Sequence, residues 1–156
     1  MISGLIARAE EVSCGRNREA RAQLARLRKL RFHDEYGKPH NVEEFLHGYC
    51  DLYLAYVLDK FYDEPMDLQG EVLIRKSNGK IVHAYAVEVN SGALADARGV
   101  TLDRRAFYSQ YHFKEREVVR RRISQDEIQR NLRRIEEKGL LPAIEALHET
   151  VKDAIY

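Results

Sequence analysis

The apolar positions of this chain change period twice. Up to about residue 61 they recur at three- and four-residue steps, between residues 72 and 97 they run in short β-branched or alternating stretches, and from about residue 128 the helical step returns. In the first region Ile2, Leu5, Ile6, Ala9 and Val12 predict a short helix that Ser13-Cys14-Gly15 ends. Asn17 to about Leu30 predicts a second, with Ala20, Leu24 and Leu27 on one side and Arg16, Arg18, Arg21, Arg26, Arg28 and Lys29 over the rest, a basic amphipathic helix. His33 to His40, carrying Gly37 and Pro39, has no period and reads as a connection. Asn41 followed by Glu44 is a capping-box pattern that opens a short helix over 42–47. Gly48 then lets the chain turn, and Leu52, Tyr53, Tyr56, Val57 and Phe61 mark one buried face of a helix that starts at Cys50 and stops before Pro65.

The middle region predicts an antiparallel meander. Strands over about 71–74, 81–89 and 93–97 are separated by the hairpin dipeptide Asn78-Gly79 and by the turn Asn90-Ser91-Gly92. The aromatic stretch from Leu102 to Phe113 fits either a helix or an extended cover over the sheet. Ser124 with Glu127 is a second capping box, opening a helix through Ile128, Leu132 and Ile135 to Lys138-Gly139, and Pro142 begins a last helix with Ile144, Leu147, Val151 and Ile155. The fold class is therefore α+β, with a helical N-terminal extension over 1–40 and one domain over 41–156.

Composition narrows the functional classes. The 156 residues are 44% hydrophobic and 33% charged with a net charge of +1, which describes a globular chain and excludes a bulk polycation. Two cysteines cannot build a disulfide framework, no apolar run is long enough to span a membrane, and the first residues do not form a secretory signal. A reducing, cytoplasmic setting is expected, without a membrane partner. The basic helix of residues 17–30 could meet an acidic protein or, more weakly, nucleic acid.

The chemistry centres on Cys50. A sulfur at a helix N-terminus faces backbone N–H groups and the positive end of the helix dipole, which favour thiolate. On the strand 81–89, His83 shares a face with Tyr85, Val87 and Val89, and a hairpin through residues 90–92 brings Asp96 alongside it. Cys50, His83 and Asp96 on helix, strand and strand are the three parts of a cysteine acyl-transfer site: nucleophile, base and the carboxylate that holds the base. No cofactor is implied, and the substrate class is protein or peptide. His47 and Cys50 with His33, His40 or His83 could also gather zinc, but a second ligand pair is missing. The competing class is a non-enzymatic module in which the basic arm and the C-terminal helix pair bind a partner and the meander supports them.

These same residues carry a resemblance. Gly48-Tyr49-Cys50 opening a helix with Ala55, His83-Ala84-Tyr85-Ala86-Val87-Glu88-Val89 on a strand, and Asp96 after a glycine turn resemble the transglutaminase-like branch of the papain-like superfamily over about residues 44–99. The resemblance implies a papain-like core with the cysteine helix packed on a small antiparallel sheet, a Cys50-His83-Asp96 triad, and chemistry on amides: hydrolysis, glutamine deamidation or transamidation. Tyr85 stands where that family often has tryptophan, and no upstream side chain matches the oxyanion-binding glutamine of papain, Glu44 and His47 being poor substitutes.

Overall fold

The computed structural model describes residues 17–64, 67–108 and 113–156. The helix expected over the first residues lies outside them, as do Cys14 and Pro65. Helix α1 (Asn17–Arg28) leads to a small hairpin, β1 (Phe32–His33) and β2 (Pro39–His40), in place of the expected irregular connection. The hairpin is held from inside. His40 is buried, with Nδ1 2.7 Å from Glu44 Oε2 and Nε2 2.8 Å from Asp34 Oδ2, while Asp34 Oδ1 accepts the N–H groups of Tyr36 and Lys38. Those polar contacts have no hydrophobic period, so pattern reading passes over them.

Helices α2 (Val42–His47) and α3 (Cys50–Lys60) follow, joined through Gly48 and Tyr49. Asn41 caps α2 by accepting the Glu44 N–H, but the Glu44 side chain goes to His40, so only half of the expected box forms. In α3, Leu52, Tyr53, Leu54, Ala55 and Val57 are all buried, more than the single face the spacing marked. A helix buried on most sides must be covered by several elements. Here β3 (Leu68–Arg75) and β4 (Ile81–Glu88) lie on one side; α5 (Gln125–Glu137) and α6 (Leu141–Val151) complete the cover.

β5 (Leu94–Asp96), β6 (Gly99–Thr101) and β7 (Val118–Arg122) complete a five-stranded antiparallel sheet of order β6-β5-β4-β3-β7. The β3–β4 hairpin turns at Gly79, whose φ of +69° suits the Asn-Gly pair. Tight pairing sets Leu73 opposite His83 and Ala95 opposite Ala86. Val72, Ala84 and Ala86 face α3 in the main core with Leu52, Leu54 and Val57. The opposite face carries Leu73, Tyr85 and Leu94, covered by Phe113 and by Phe107 of the short helix α4 (Arg104–Tyr108). The aromatic stretch thus includes a helical cover over the sheet's outer face. The Ser124 capping box forms as expected: the Ser124 hydroxyl accepts the Glu127 N–H, and the Glu127 carboxylate accepts the Ser124 N–H. β6 and β7 were not expected, and β7 reads Val-Val-Arg-Arg-Arg with its four last residues exposed. No described helix is long and apolar enough to cross a membrane.

Candidate active site at the end of strand β5

In β4 the Glu88 N–H donates to Ala93 O at 2.9 Å, so the alternate amides of residues 84, 86 and 88 all face the β5 side. β5 pairs with β4 only at Ala86 and Val87 and ends at Asp96, which leaves a gap in the sheet beside Ala84. Helix α3 packs against β4. The Ala84 N–H lies near the Cys50 sulfur, where it favours the thiolate. Cys50 is therefore set against the main chain immediately beside His83.

His83 and Asp96 meet on the outer face. His83 stacks on Tyr85 with ring centroids 5.9 Å apart and lies 5.5 Å from the Phe107 ring. Its Nε2 is 3.0 Å from Asp96 Oδ2, and its Nδ1 is 3.2 Å from the Leu46 carbonyl at the α2–α3 junction. No hydrogen bond joins the Cys50 sulfur to the His83 ring among the described residues. The geometry thus brings His83 and Asp96 into direct contact and places Cys50 next to them through the backbone of Ala84.

The residue missed from the sequence is Arg98. The two-residue turn Ala97-Arg98 between β5 and β6 folds it back onto Asp96: Nη2 lies 2.6 Å from Oδ2, Nε 3.1 Å from Oδ1, and its own N–H donates to Oδ1 at 2.9 Å. The guanidinium also donates to Phe107 O from two nitrogens, both at 3.2 Å, and sits between the Phe107 and Tyr156 rings. The Tyr156 hydroxyl donates to Asp96 Oδ2 at 3.2 Å. The signal was present, an arginine two positions after an aspartate in a tight turn, but arginine is rarely buried and is read as surface unless a partner is known.

The electrostatics follow from burial and these partners. Burial opposes the Asp96 charge, yet Arg98 and the His83 hydrogen bond outweigh it and hold the carboxyl well below the usual range. Burial lowers the His83 pKa against the pull of Asp96, so the neutral ring carries its proton on Nε2, toward the carboxylate. For Cys50 the expectation of a lowered pKa is reversed. Burial first, then the Asp51 carboxylate, push the thiol up to about 12, against the amides of Ala84, Asp51 and Cys50 itself.

The other candidates lie elsewhere. His47 Nε2 is 3.2 Å from Glu43 and Glu44 is bound to His40, so neither serves Cys50. Among the described residues no group of three or more histidine, cysteine or acidic side chains could hold a metal ion. Comparison of the chain with models of known protein families, with curated proteins and with solved structures finds no match.

Proposed function

We propose that the chain is a cysteine-dependent amide hydrolase or acyl-transfer domain of papain-like, transglutaminase-like build, with Cys50 as nucleophile, His83 as its base and Asp96 as the carboxylate that orients the base. One observation carries the reading: the His83 ring is held through Nε2 by Asp96 while Nδ1 is turned to the junction where α3 and Cys50 begin. In the neutral ring Nδ1 bears a lone pair, and at 3.2 Å it faces another acceptor, the Leu46 carbonyl. A donor improves that arrangement, and on this reading the Cys50 thiol supplies it when substrate binds, since in the resting geometry of the described residues no hydrogen bond joins the sulfur to the ring. The resting pair is thus a neutral thiol beside a neutral imidazole, as in serine-type general-base catalysis. On attack the sulfur bonds to the substrate carbonyl carbon and its proton passes to Nδ1. The imidazolium, stabilised by Asp96, then protonates the departing amine as the C–N bond breaks, leaving a thioester. Water or a second amine opens the thioester by the reverse proton path, which separates hydrolysis and deamidation from transamidation.

A second reading has its own support. His83 has no exposed surface, Cys50 is 6% exposed, and Asp96 is neutralised by Arg98, so the same groups could serve only to fasten the sheet to α3 in an interaction module. Acylation separates the two. With p-nitrophenyl acetate, intact-mass and peptide analysis of the folded protein should find a thioester on Cys50 that is lost in Cys50→Ala and slowed at least about 100-fold in His83→Gln. Absence of any Cys50 adduct in folded wild type, or equal acylation in a folded His83→Gln protein, overturns the enzyme reading in favour of the module.

A further inference from the structure

We infer that the cavity bounded by α3, α6 and the β5–β6 hairpin is a binding site for a small carboxylate with an apolar body, its anionic oxygen held by His148 and Lys60. The inference does not rest on the acyl-transfer reading, but the cavity adjoins that site: Asp96, its charge held by Arg98, is among the lining residues. The cavity holds about 300 Å³, roughly twice the 150 Å³ that accepts benzene in an apolar protein interior. Its apolar lining comes from Val57, Phe61, Ala95, Val100 and Val151. Ring-sized hydrocarbon is therefore what it can hold.

Polar groups select the rest of the ligand. Tyr53 and His148, both buried, line the cavity together, and the Tyr53 hydroxyl lies 3.2 Å from His148 Nδ1. Burial keeps the Tyr53 phenol protonated, and Nδ1 is its hydrogen-bond partner among the described residues, so it donates there and leaves the imidazole proton on Nε2. That N–H has no acceptor among the described residues. The His148 ring is held in place by the Tyr56 ring at 5.6 Å and the Phe61 ring at 5.7 Å. A fixed donor inside an apolar chamber asks for an acceptor on the ligand.

The rim decides that the acceptor is charged. Lys60, Glu64, Glu149 and Lys152 line it. Lys152 is paired with Glu149 at 2.8 Å, whereas the hydrogen bond of Lys60 is a long one to the Tyr56 hydroxyl, 3.4 Å. After burial, the Lys60 ammonium is the charge felt most strongly at the His148 ring, which it helps to keep neutral. A carboxylate between His148 Nε2 and Lys60 would accept one neutral and one charge-assisted bond while its body fills the apolar end.

Titration of the ¹⁵N-labelled full chain with benzoate, toluene and acetate tests this. Benzoate should shift His148 Nε2 and the amides of Val57, Ala95 and Val151 together, with a Kd on the order of 1 mM or tighter; toluene and acetate, each having half of the chemistry, should bind at least about tenfold more weakly. Lys60 is exposed, so Lys60→Gln tests the charge in a protein that keeps its core. It should weaken benzoate about three- to tenfold and leave toluene unchanged. His148→Gln should weaken benzoate further. No cavity-localised shift with benzoate, equal affinity for toluene and benzoate, or benzoate affinity unchanged in Lys60→Gln would each overturn the assignment.

Discussion

Arg98 lies two residues beyond Asp96, and in the turn between β5 and β6 its guanidinium grips both oxygens of that carboxylate, with Nη2 2.6 Å from Oδ2 and Nε 3.1 Å from Oδ1. Arg98 is 3% exposed and Asp96 4%, so neither charge can turn to water if the other is removed. If Asp96 served only to orient His83, Asp96→Asn would spare the fold. The ion pair changes that expectation: Asp96→Asn leaves a buried guanidinium uncompensated and should cost about 3–5 kcal/mol in urea unfolding, and Arg98→Met should cost a similar amount. The double variant should recover part of the loss, because a neutral pair need not be desolvated as charges are. Strictly additive losses would show that the pair is not coupled.

On the proposed acyl-transfer mechanism, the same coupling means that the Asp96 contribution is best read in the double variant. With Arg98 already replaced, loss of the carboxylate should lower acyl-transfer turnover on the order of 10⁴-fold while the fold holds. KM should move little, since Asp96 acts on His83 and not on substrate. Unchanged turnover in the folded double variant would remove Asp96 from the mechanism.

Stability should fall on the acid side in two stages. Burial, and after it Lys60, push His148 down to about 4 from 6.5, so the unfolded chain binds a proton there that the folded protein refuses. The stability this neutral ring contributes is present above pH 6.5 and is lost as pH falls toward 4. The Asp96 carboxyl is held below its ordinary 3.8 by Arg98 and His83 against burial, so its contribution is present above that value and lost only at lower pH. Buried His83, whose pKa is also lowered, contributes below pH 6.5 as well, so in denaturation curves taken from pH 8 to pH 3 His148→Gln should flatten the slope between pH 6.5 and 4 in part and leave the loss below pH 4. A slope between 6.5 and 4 identical to that of the wild type would remove His148 from it.

Much of this architecture could be read from apolar spacing and turn residues. The Asn78-Gly79 hairpin, the strand 81–88 and the capped helix at Ser124 follow local rules that tertiary packing did not override. What escaped depends on pairing at a distance. β7 is an arginine-rich edge strand whose only pattern is its partner β3, and β6 is three residues that make sense once the chain turns at Ala97-Arg98. In the candidate site the hairpin argument reached Asp96 and His83, because turn geometry is local. It could not reach Arg98 or the depth of Cys50: a helix dipole argument says which way a thiol leans, while burial, set by the whole fold, decides the sign.

Gly99 offers a sharp test of the β5–β6 corner. Its φ is +121°, and a Cβ there would sit 2.3 Å from the Ala154 carbonyl oxygen, which the Val100 N–H already bonds at 3.0 Å. Gly99→Ala must therefore strain the backbone and displace the segment that carries Tyr156 to Asp96. We expect a loss of at least about 2 kcal/mol in chemical denaturation, with the Tyr156 ring resonances shifted. A neutral substitution would mean that the corner relaxes freely and does not brace Asp96.

The reactivity of Cys50 is where the resting structure makes its most specific demand. A thiol pushed up to about 12 holds, at pH 8, on the order of a thousandth of the thiolate of an ordinary cysteine near 8.5. Iodoacetamide, which needs thiolate, should therefore alkylate Cys50 of the folded protein far more slowly than in urea, where the ordinary pKa returns. Because burial and Asp51 set that value, His83→Gln should leave the alkylation rate nearly unchanged. On the proposed mechanism acylation by an activated ester should behave differently, since there His83 would take the proton during attack and its loss would remove the base. The two reagents on the same pair of proteins thus separate a neutral thiol used by general-base catalysis from a preformed thiolate–imidazolium pair. Rapid alkylation of folded protein near pH 6, slowed by His83→Gln, would show the ion pair and refute the neutral resting state.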